Sequence, residues 1–487
     1  MATRAKTIVW FRRDLRLADN HALTAAVELG VAIPVYIHAQ DEEAPWQPDA
    51  ASRTWLHHSL KALAGELGAG GAQLVIREGE SLTVLRELLK ETGATAVYWN
   101  RLYDPATRER DTKVKSALRE QGFEAESFAS HLLVEPHVIK NNQNSPMMIF
   151  TPYWKRLRAM YDPADPLPAP KLDSLDVEIS SLRVDDLALL PRRVRWDKKF
   201  EPYWQQGEVA AQKRLRKFVK EIAGEYVDTR NIPAVDGTSI LSPHLHFGEL
   251  SPRQIWCAVR DAQHAAKSQD VRASCESYLR ELAWRDYAHY LLFHFPETTD
   301  RPLKKEYGAF PWGGSKAQFD AWKRGQTGYP IVDAGMRQLW ETGWMHNRVR
   351  MVVASFLIKH LLIDWREGAR WFWDTLVDAD LANNTMGWQW VAGCGADASP
   401  FFRIFNPVTQ AEKFDPDGAY IRRWVPELAK LENKSIRAPW LADEKALRDA
   451  GVTLGIHYPA PIVDHATARE GALEAYQAVA AERKRTE

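Results

Sequence analysis

Four short segments of this 487-residue chain carry side chains whose types and spacing suit a flat ligand or a phosphate. In the first segment, Glu281, Trp284 and Arg285 lie three and four positions apart, so a helix places them on one face. The indole offers stacking area, and a protonated carboxyl can hydrogen-bond an exposed carbonyl. A surface ion pair beside a packed tryptophan accounts for the same pattern equally well.

The second segment, Trp344–Met351, is unusually rich in Arg, Asn, His and Met. At helical spacing Asn347, Arg350 and Met351 share one face, whereas Arg348 points elsewhere and is free to reach a phosphate. Such a composition is awkward for a purely apolar core. We therefore interpret this segment as functional.

The third segment is the hydroxyl-rich run Gly237–Pro243, which reads as the start of a helix. Free N–H groups and the positive end of the helix dipole attract phosphate at such a position. Ordinary helix capping accounts for the same residues. Tyr226 and Arg230 lie just upstream and could close over the same anion.

The fourth segment runs from Asp378 to Trp390 and begins with the pair Asp378 and Asp380. Paired carboxylates can act as acid and base or bind a metal. No His, Cys or third carboxylate accompanies them at ligand spacing, so we predict no metal site. His57 and His58, which are adjacent to each other in the sequence, are predicted to be a surface pair on a helix.

The first third of the chain alternates short apolar runs with amphipathic ones, which predicts an α/β domain with an open, parallel, Rossmann-like sheet. The dinucleotide fingerprint is absent after the first strand, where Arg12, Arg13 and Asp14 stand instead. A ligand at the carboxyl ends of the strands is expected from the fold alone. The predicted strands are Thr7–Phe11, Ala32–His38, Gln73–Arg77, Thr95–Trp99 and Ala125–Phe128, and the helices between them are Asn20–Leu29, Ala51–Leu67, Ser81–Thr92 and Thr107–Gln121.

A proline-rich stretch without clear periodicity follows, and the remainder has a helical period. We predict an α/β domain over 1–135, a connector over 136–205 and an all-α domain over 206–487. The helices predicted there are Gln206–Ala223, Ser251–His264, Ser274–Phe295, Ser315–Arg324, Tyr329–Thr342 and His346–Leu362.

Bulk composition restricts the classes of function. Lys plus Arg and Asp plus Glu both number 64, so any nucleic-acid surface must be a local basic patch. Three cysteines without ligand spacing predict no disulfide framework and a reducing compartment. No segment is apolar enough to predict a membrane span. The 20 tryptophans are the unusual feature, and most of them follow Trp204.

The four segments, taken in order, resemble the photolyase and cryptochrome family, and the resemblance covers nearly the whole chain. It includes Val9–Leu17 and Ala51–His57, and it is strongest from Gly325–Gly335 to Phe401–Pro407. It implies light-driven repair of cyclobutane pyrimidine dimers in UV-damaged DNA, a carbon–carbon lyase reaction. An electron from photoexcited reduced flavin splits a lesion that has first left the base stack.

The resemblance also implies how FAD binds inside the helical domain, folded into a U shape. Asn384 is expected to face flavin N5. The other implied FAD contacts are Tyr226, Thr238, Ser239, Ile240, Leu241 and Ser242 at the phosphates, and Arg285, Trp344, Asn347, Arg350, Asp378 and Asp380 along the flavin and sugar.

The same resemblance implies a chain of tryptophans and a lesion site. Trp312, Trp365 and Trp388 match the relay that carries an electron from the surface to photoexcited oxidised flavin. Trp284 and Trp390 are expected to flank the flipped-out lesion, and Glu281 to hydrogen-bond its carbonyl. The remaining lesion and DNA contacts implied are Asn347, Arg348, Met351 and Arg403.

Three alternatives differ in function. A cryptochrome signals on the same scaffold, but plant-type members carry Asp where this chain has Asn384, and a signalling tail where this chain ends soon after Ala466–Ala481. Enzymes that repair the (6-4) photoproduct carry a His in the segment that here reads Asn347–Met351. A plain nucleotide-binding or stress protein explains the first domain but not the helical half.

The resemblance leaves the antenna chromophore and the class I or class III type open. One folate-binding branch carries Asn-Glu where this chain reads Ala106 and Thr107, whereas Trp46–His57 looks more like the class III branch. We expect methenyltetrahydrofolate, with a deazaflavin or an empty site as the alternatives. A monomer in the cytoplasm, associated with a bacterial nucleoid through DNA, is expected.

Overall fold

The computed structural model describes residues 4–174, 179–398 and 403–486 and divides into two compact units. The first unit comprises Met1–Gly224, Ser239–Pro296 and Val377–Ala382; the second comprises Glu225–Thr238, Glu297–Leu376 and Asn383–Glu487. Each unit is assembled from separate stretches of chain. The division into 1–135, 136–205 and 206–487 stays a prediction. Phe401 and Phe402, which open one of the family motifs, lie outside the described residues.

Five strands form one parallel sheet in the first unit, in the order β3-β2-β1-β4-β5. The five predicted strands are therefore confirmed. Apolar side chains of the sheet pack against helices, and Ile8, Val97 and Leu118 belong to one such core. The strands are β1 (Ala5–Phe11), β2 (Gly30–His38), β3 (Val75–Glu78), β4 (Ala96–Asn100) and β5 (Glu124–Phe128).

Helices make up most of the remaining described chain. They are α1 (His21–Leu29), α2 (Ala50–Ala69), α3 (Ser81–Thr92), α4 (Pro105–Glu120), α5 (Phe150–Met160), α6 (Glu208–Glu221), α7 (Tyr226–Thr229), α8 (Ser242–His246), α9 (Pro252–Ala265), α10 (Gln269–His294), α11 (Lys316–Lys323), α12 (Pro330–Thr342), α13 (Asn347–Ser355), α14 (Trp365–Thr375), α15 (Leu381–Ala392), α16 (Pro407–Phe414), α17 (Ala419–Trp424), α18 (Asn433–Arg437), α19 (Glu444–Ala450) and α20 (His465–Thr486). Within the described ranges, none of these helices combines the length and apolar character that a bilayer crossing needs.

Two helix predictions were wrong in detail. The stretch predicted to be an irregular connector contains α5, whose buried residues Phe150, Tyr153 and Leu157 recur at helical spacing and pack beside α10. The long helix predicted over His346–Leu362 is interrupted, because α13 gives way to a π-helical turn over Phe356–His360. Such turns are often found at functional sites.

A close approach fixes α8 against the chain that leaves β1. Gly248 has a φ of 67°, and a Cβ there would lie 2.2 Å from the carbonyl oxygen of Arg13. The Leu15 N–H donates to the carbonyl of Phe247 at 3.1 Å, and Arg16 donates to the carbonyl of Gly248 at 2.9 Å. Only glycine fits this crossing without strain.

The next residue, Glu249, is fully buried and joins three parts of the first unit. Its carboxylate accepts hydrogen bonds from the Trp55 indole at 3.2 Å, the Ser59 hydroxyl at 2.6 Å and the Gly207 N–H at 2.8 Å. It also contacts Nδ1 of His244 on α8. A buried carboxylate is tolerated only when its oxygens are satisfied in this way.

Replacing Gly248 with alanine should lower the free energy of unfolding by about 2–4 kcal/mol, because the added Cβ overlaps the Arg13 backbone at a positive φ. Urea unfolding followed by circular dichroism measures this change. Gly65, exposed within α2 with nothing within 4 Å of an added Cβ, is the matched control. Gly65→Ala should stabilise by up to about 1 kcal/mol. Equal stability of the two variants would contradict the packing described here.

Candidate functional site

Helix α13 begins at an unusual cap. Nδ1 of His346 accepts a hydrogen bond from the Arg348 N–H at 3.2 Å, which requires that nitrogen to be unprotonated. Burial first, and then the charges of Arg348 and Arg350, lower the pKa of His346 to about 4. The imidazole is thus neutral at ordinary pH and holds the first turn of α13 in place.

The side chains of this turn lie in different surroundings. Asn347 is exposed, whereas Trp344 and Arg350 are half-buried. Arg350 donates from Nε to the carbonyl of Met345 at 2.8 Å, and its guanidinium lies 5.9 Å from the Trp344 ring centre.

Arg348, which is predicted to reach a phosphate, is held by neighbouring side chains. Its Nε and Nη2 donate to Oδ1 of Asn231 at 3.2 and 2.8 Å, and Nη1 lies 3.6 Å from Sδ of Met351. The guanidinium also lies 4.4 Å from the centre of the Phe414 ring. Arg348 is therefore held in one orientation at the surface of the second unit.

The amide of Asn384 has a fixed direction. Its Nδ2 donates to the carbonyl oxygen of Ala369 on α14 at 3.0 Å. Only the NH₂ end of an amide can donate to a carbonyl, so Oδ1 is turned away and can accept. An acceptor at this position suits a ligand that presents an N–H group.

The three tryptophans predicted to form an electron relay all lie in the second unit and differ in burial. Trp365 and Trp388 are 1% and 2% exposed, whereas Trp312 is only half-buried. Trp388 on α15 packs so closely on α14 that a Cβ at Gly368 would lie 2.1 Å from its ring. This decrease in exposure is what a route from the surface inward requires.

Arg403 is exposed, and its backbone is anchored by a buried lysine. Nζ of Lys359, in the π-helical turn, donates to the carbonyl of Arg403 at 2.5 Å. Burial first, and then the charge of Arg403, lower the pKa of Lys359 to about 7. Trp390, on α15, is half-buried.

The loop predicted to bind phosphate carries a strained residue. Ile240 has a φ of 51°, which is unfavourable for a β-branched side chain, and such strain clusters at ligand sites. Arg214 supports the loop by donating to the carbonyl of Ser239 at 2.7 Å. The predicted helix start is confirmed, because α8 begins at Ser242. In the second unit, Tyr226 is buried and lies under the guanidinium of Arg230 at 5.2 Å.

Helix α10 carries the predicted Glu–Trp–Arg face. The Trp284 ring stacks on Phe150 with ring centres 3.5 Å apart and an interplanar angle of 11°, so the plane of the indole is set from α5. Arg285 is buried and donates to both the carbonyl and Nε2 of His131 at 2.9 Å. Glu281 is half-buried, one turn earlier on the same helix.

Asp380 lies in a buried cluster of histidines. Its Oδ2 is 3.3 Å from Nε2 of His289 and 3.7 Å from Nδ1 of His246. Burial alone would raise the pKa of Asp380, but attraction to these imidazoles outweighs it and holds the pKa well below its usual range. Asp378, which was paired with Asp380 in the sequence, is also buried.

The reason for discounting a metal at Asp380 was wrong, because histidines distant in sequence do reach it. Among the described residues, ligand atoms of His131, His289 and Asp380 lie within 4.8 Å of one another. However, the Nε2 lone pair of His131 accepts a hydrogen bond from Arg285, so this nitrogen is not available as a ligand. The buried carboxylate of Asp380 thus lies within reach of histidines from both α8 and α10.

The crevice at the carboxyl ends of β1 and β4, where the strand order reverses, contains paired charges. Arg12 bonds Asp111 at 3.0 Å, and Arg13 pairs with Asp104 at 2.5 Å.

The prediction that His57 lies on the surface was wrong, because it is 3% exposed.

Two families match the chain. One is described as DNA photolyase and covers residues 7–171; the other is described as FAD binding domain of DNA photolyase and covers residues 278–478. The chain is 50% identical to the deoxyribodipyrimidine photo-lyase of Agrobacterium fabrum over 98% of each protein. It belongs to the photolyase and cryptochrome family. The architecture predicted from the sequence, an α/β domain followed by a helical FAD-binding domain, is confirmed by these family matches.

Other members of the family are also similar. A bacterial class III photolyase structure from Agrobacterium tumefaciens superposes with a TM-score of 0.94 at 49% identity and covers 98% of both chains. Cryptochrome-1 of Arabidopsis thaliana is 41% identical over 95% of this chain and 69% of the plant protein.

Sequence reasoning within this family missed the residues that hold the predicted ones. Phe150 sets the plane of Trp284, Ala369 orients Asn384 and Asn231 holds Arg348. Only Phe150 had a local signal, since apolar residues recur at helical spacing around it. The roles assigned to the predicted site residues remain predictions.

Replacing His346 with asparagine should remove one component of the pH dependence of stability. Because folding lowers the pKa of His346 to about 4, the unfolded chain binds the proton first, and wild-type stability falls between about pH 6.5 and pH 4. Asparagine caps helices well and does not titrate. As the pH falls, the free energy of unfolding of wild type should therefore decrease relative to that of H346N. Urea unfolding of both proteins over the pH range measures this difference. A constant difference from pH 7 to pH 4.5 would contradict this assignment.

Proposed function

We propose that the protein repairs cyclobutane pyrimidine dimers in DNA with blue light, as a deoxyribodipyrimidine photo-lyase. The observation that carries this proposal is the 50% identity to the Agrobacterium fabrum photo-lyase over 98% of both chains. Asn384 supports it further, since its fixed amide presents an acceptor oxygen where the family resemblance expects N5 of reduced flavin.

The donors and acceptors of the chain suit FAD. When bound, reduced FAD supplies the photoexcited electron, while the protein supplies orientation and electrostatics. Tyr226 and the loop 238–242 bind the phosphates, with the strained backbone of Ile240 presenting its N–H groups. The flavin and sugar contacts proposed are Arg285, Trp344, Asn347, Arg350, Asp378, Asp380 and Asn384.

The extruded lesion needs flat surfaces and a polar contact. Trp284, whose plane is set by stacking on Phe150, and Trp390 flank the dimer. Glu281 hydrogen-bonds its carbonyl, and Asn347 and Met351 line the remainder. Damage lowers the energy of unstacking, which favours extrusion of the lesion over that of intact bases.

Affinity for DNA comes from a few local cations, since the net charge of the chain is zero. Arg348 and Arg403 contact phosphates beside the lesion, and both are held in place by neighbouring groups. Binding weakens with salt because these contacts release counterions.

Trp312, Trp365 and Trp388 carry an electron inward when the flavin is oxidised. Trp312 is half-buried whereas Trp365 and Trp388 are buried, which supports Trp312 as the outer end of the route. The route restores the reduced flavin and takes no part in splitting the lesion.

We propose methenyltetrahydrofolate as the antenna chromophore, on the class III character of Trp46–His57. The hydroxyl of Thr107, in the first turn of α4, donates to the carbonyl of Asp104 at 2.9 Å. This bond argues against a folate contact there. The three buried free cysteines suit a monomer working in the reducing cytoplasm, close to nucleoid DNA.

The test is repair of an oligonucleotide that contains one thymine dimer, followed by recovery of absorbance near 260 nm. With reduced flavin, repair should proceed under blue light and stop in the dark. An undamaged oligonucleotide of the same sequence is the control. Tight binding of dimer DNA without repair would refute the enzyme and favour a signalling cryptochrome, the family's other activity.

Replacing Trp388 with phenylalanine should strongly slow photoreduction of the oxidised flavin, because the relay then lacks its innermost indole. Repair by enzyme reduced chemically beforehand should remain close to wild type. Trp424→Phe, which alters a half-buried tryptophan outside the relay, is the matched control. Equal loss of photoreduction and repair in W388F would refute the relay assignment.

A further inference from the structure

Asn231 is the residue that holds the guanidinium of Arg348. Its Oδ1 accepts from both Nε and Nη2 of Arg348, at 3.2 and 2.8 Å. The Phe414 ring lies 4.4 Å from the guanidinium carbon, and the capping bond from His346 fixes the Arg348 backbone. An arginine side chain loses rotamer freedom on binding, and these contacts restrict it beforehand.

Asn231 itself stands on a tight loop after α7. The next residue, Ile232, donates to the carbonyl of Thr229 at 2.9 Å. Gly237 closes the loop, since a Cβ there would lie 2.7 Å from the Thr229 side chain. The position of the Asn231 amide is thus set by backbone geometry as well as by its bond to Arg348.

The choice of a neutral amide matters because of charge. Arg12, which is buried in the first unit, is held by a carboxylate, that of Asp111. At Asn231 the acceptor orients the guanidinium as a carboxylate would, but adds no negative charge.

We propose that Asn231 is a positioning residue for DNA recognition. It orients Arg348 for contact with a phosphate beside the lesion, and it adds no negative charge of its own. The inference rests on the proposed repair function, and it extends that function by naming a residue which sets affinity without touching the flavin or the lesion.

The test measures binding of a fluorescent duplex containing one thymine dimer, in the dark, over a series of salt concentrations. Arg348→Ala should weaken binding and reduce the slope of log K against log salt by about 0.9, the value for one phosphate contact. Asn231→Ala should weaken binding about fivefold with the slope unchanged, because the charge remains and only its ordering is lost. Asn231→Asp should keep the orientation, weaken binding about tenfold and reduce the slope.

Asn433 offers a matched control, because its Oδ1 accepts from Arg422 at 3.0 Å in the same unit. Asn433→Asp should leave dimer affinity unchanged. The effect of Asn231→Ala should vanish in an Arg348→Ala background, which a double-mutant cycle shows directly. Flavin absorbance and the thermal midpoint of each variant report whether the fold is retained.

Several results would overturn the proposal. Wild-type affinity in N231A while R348A is weakened would exclude a positioning role. Wild-type affinity and slope in N231D would exclude the role of charge. Unchanged binding by R348A would remove the phosphate contact itself. Failure of the proposed repair function can be told apart from failure of the Asn231 proposal. In that case wild-type protein would repair no dimers under blue light, whatever its affinity for DNA.

Discussion

The fully buried carboxylate of Glu249 is the interaction on which the first unit depends. An isolated carboxylate at that depth would be unstable, and four donors from α2, the turn before α6 and α8 satisfy it. Those donors must therefore meet at one point. This arrangement places α8, and the strained loop at Ile240 before it, beside the chain that leaves β1 at Arg13. The backbones approach so closely there that position 248 must be glycine.

The requirement that a buried charge has polar partners also explains the arrangement of charge around the candidate site. Asp380 stays ionised while buried because His289 and His246 face it, and Arg285 is held by His131. These groups are fixed before any ligand arrives, so binding requires little reorganisation.

The second unit holds charged and aromatic side chains in fixed orientations. Arg348 is oriented by the neutral amide of Asn231, which adds no negative charge of its own. Trp388 is packed against Gly368 with no room for a side chain, which keeps one indole in one place. Because 64 Lys and Arg are balanced by 64 Asp and Glu, binding to a polyanion would depend on a local group of cations rather than on net charge.

The amino-acid sequence alone determined the five parallel strands, most of the helices and, through motif order, the family; the residues assigned to FAD and DNA remain predictions. Those features depend on periodicity and on residues close together in the chain, which leave a local signal. Tertiary structure alone decided which partners hold those residues: His131 lies 154 positions from Arg285, and Asn231 lies 117 positions from Arg348. A contact between residues far apart in the chain does not alter the periodicity of either segment. The local sequence pattern therefore does not reveal it. The expectation that changed was therefore that no histidine accompanies Asp380.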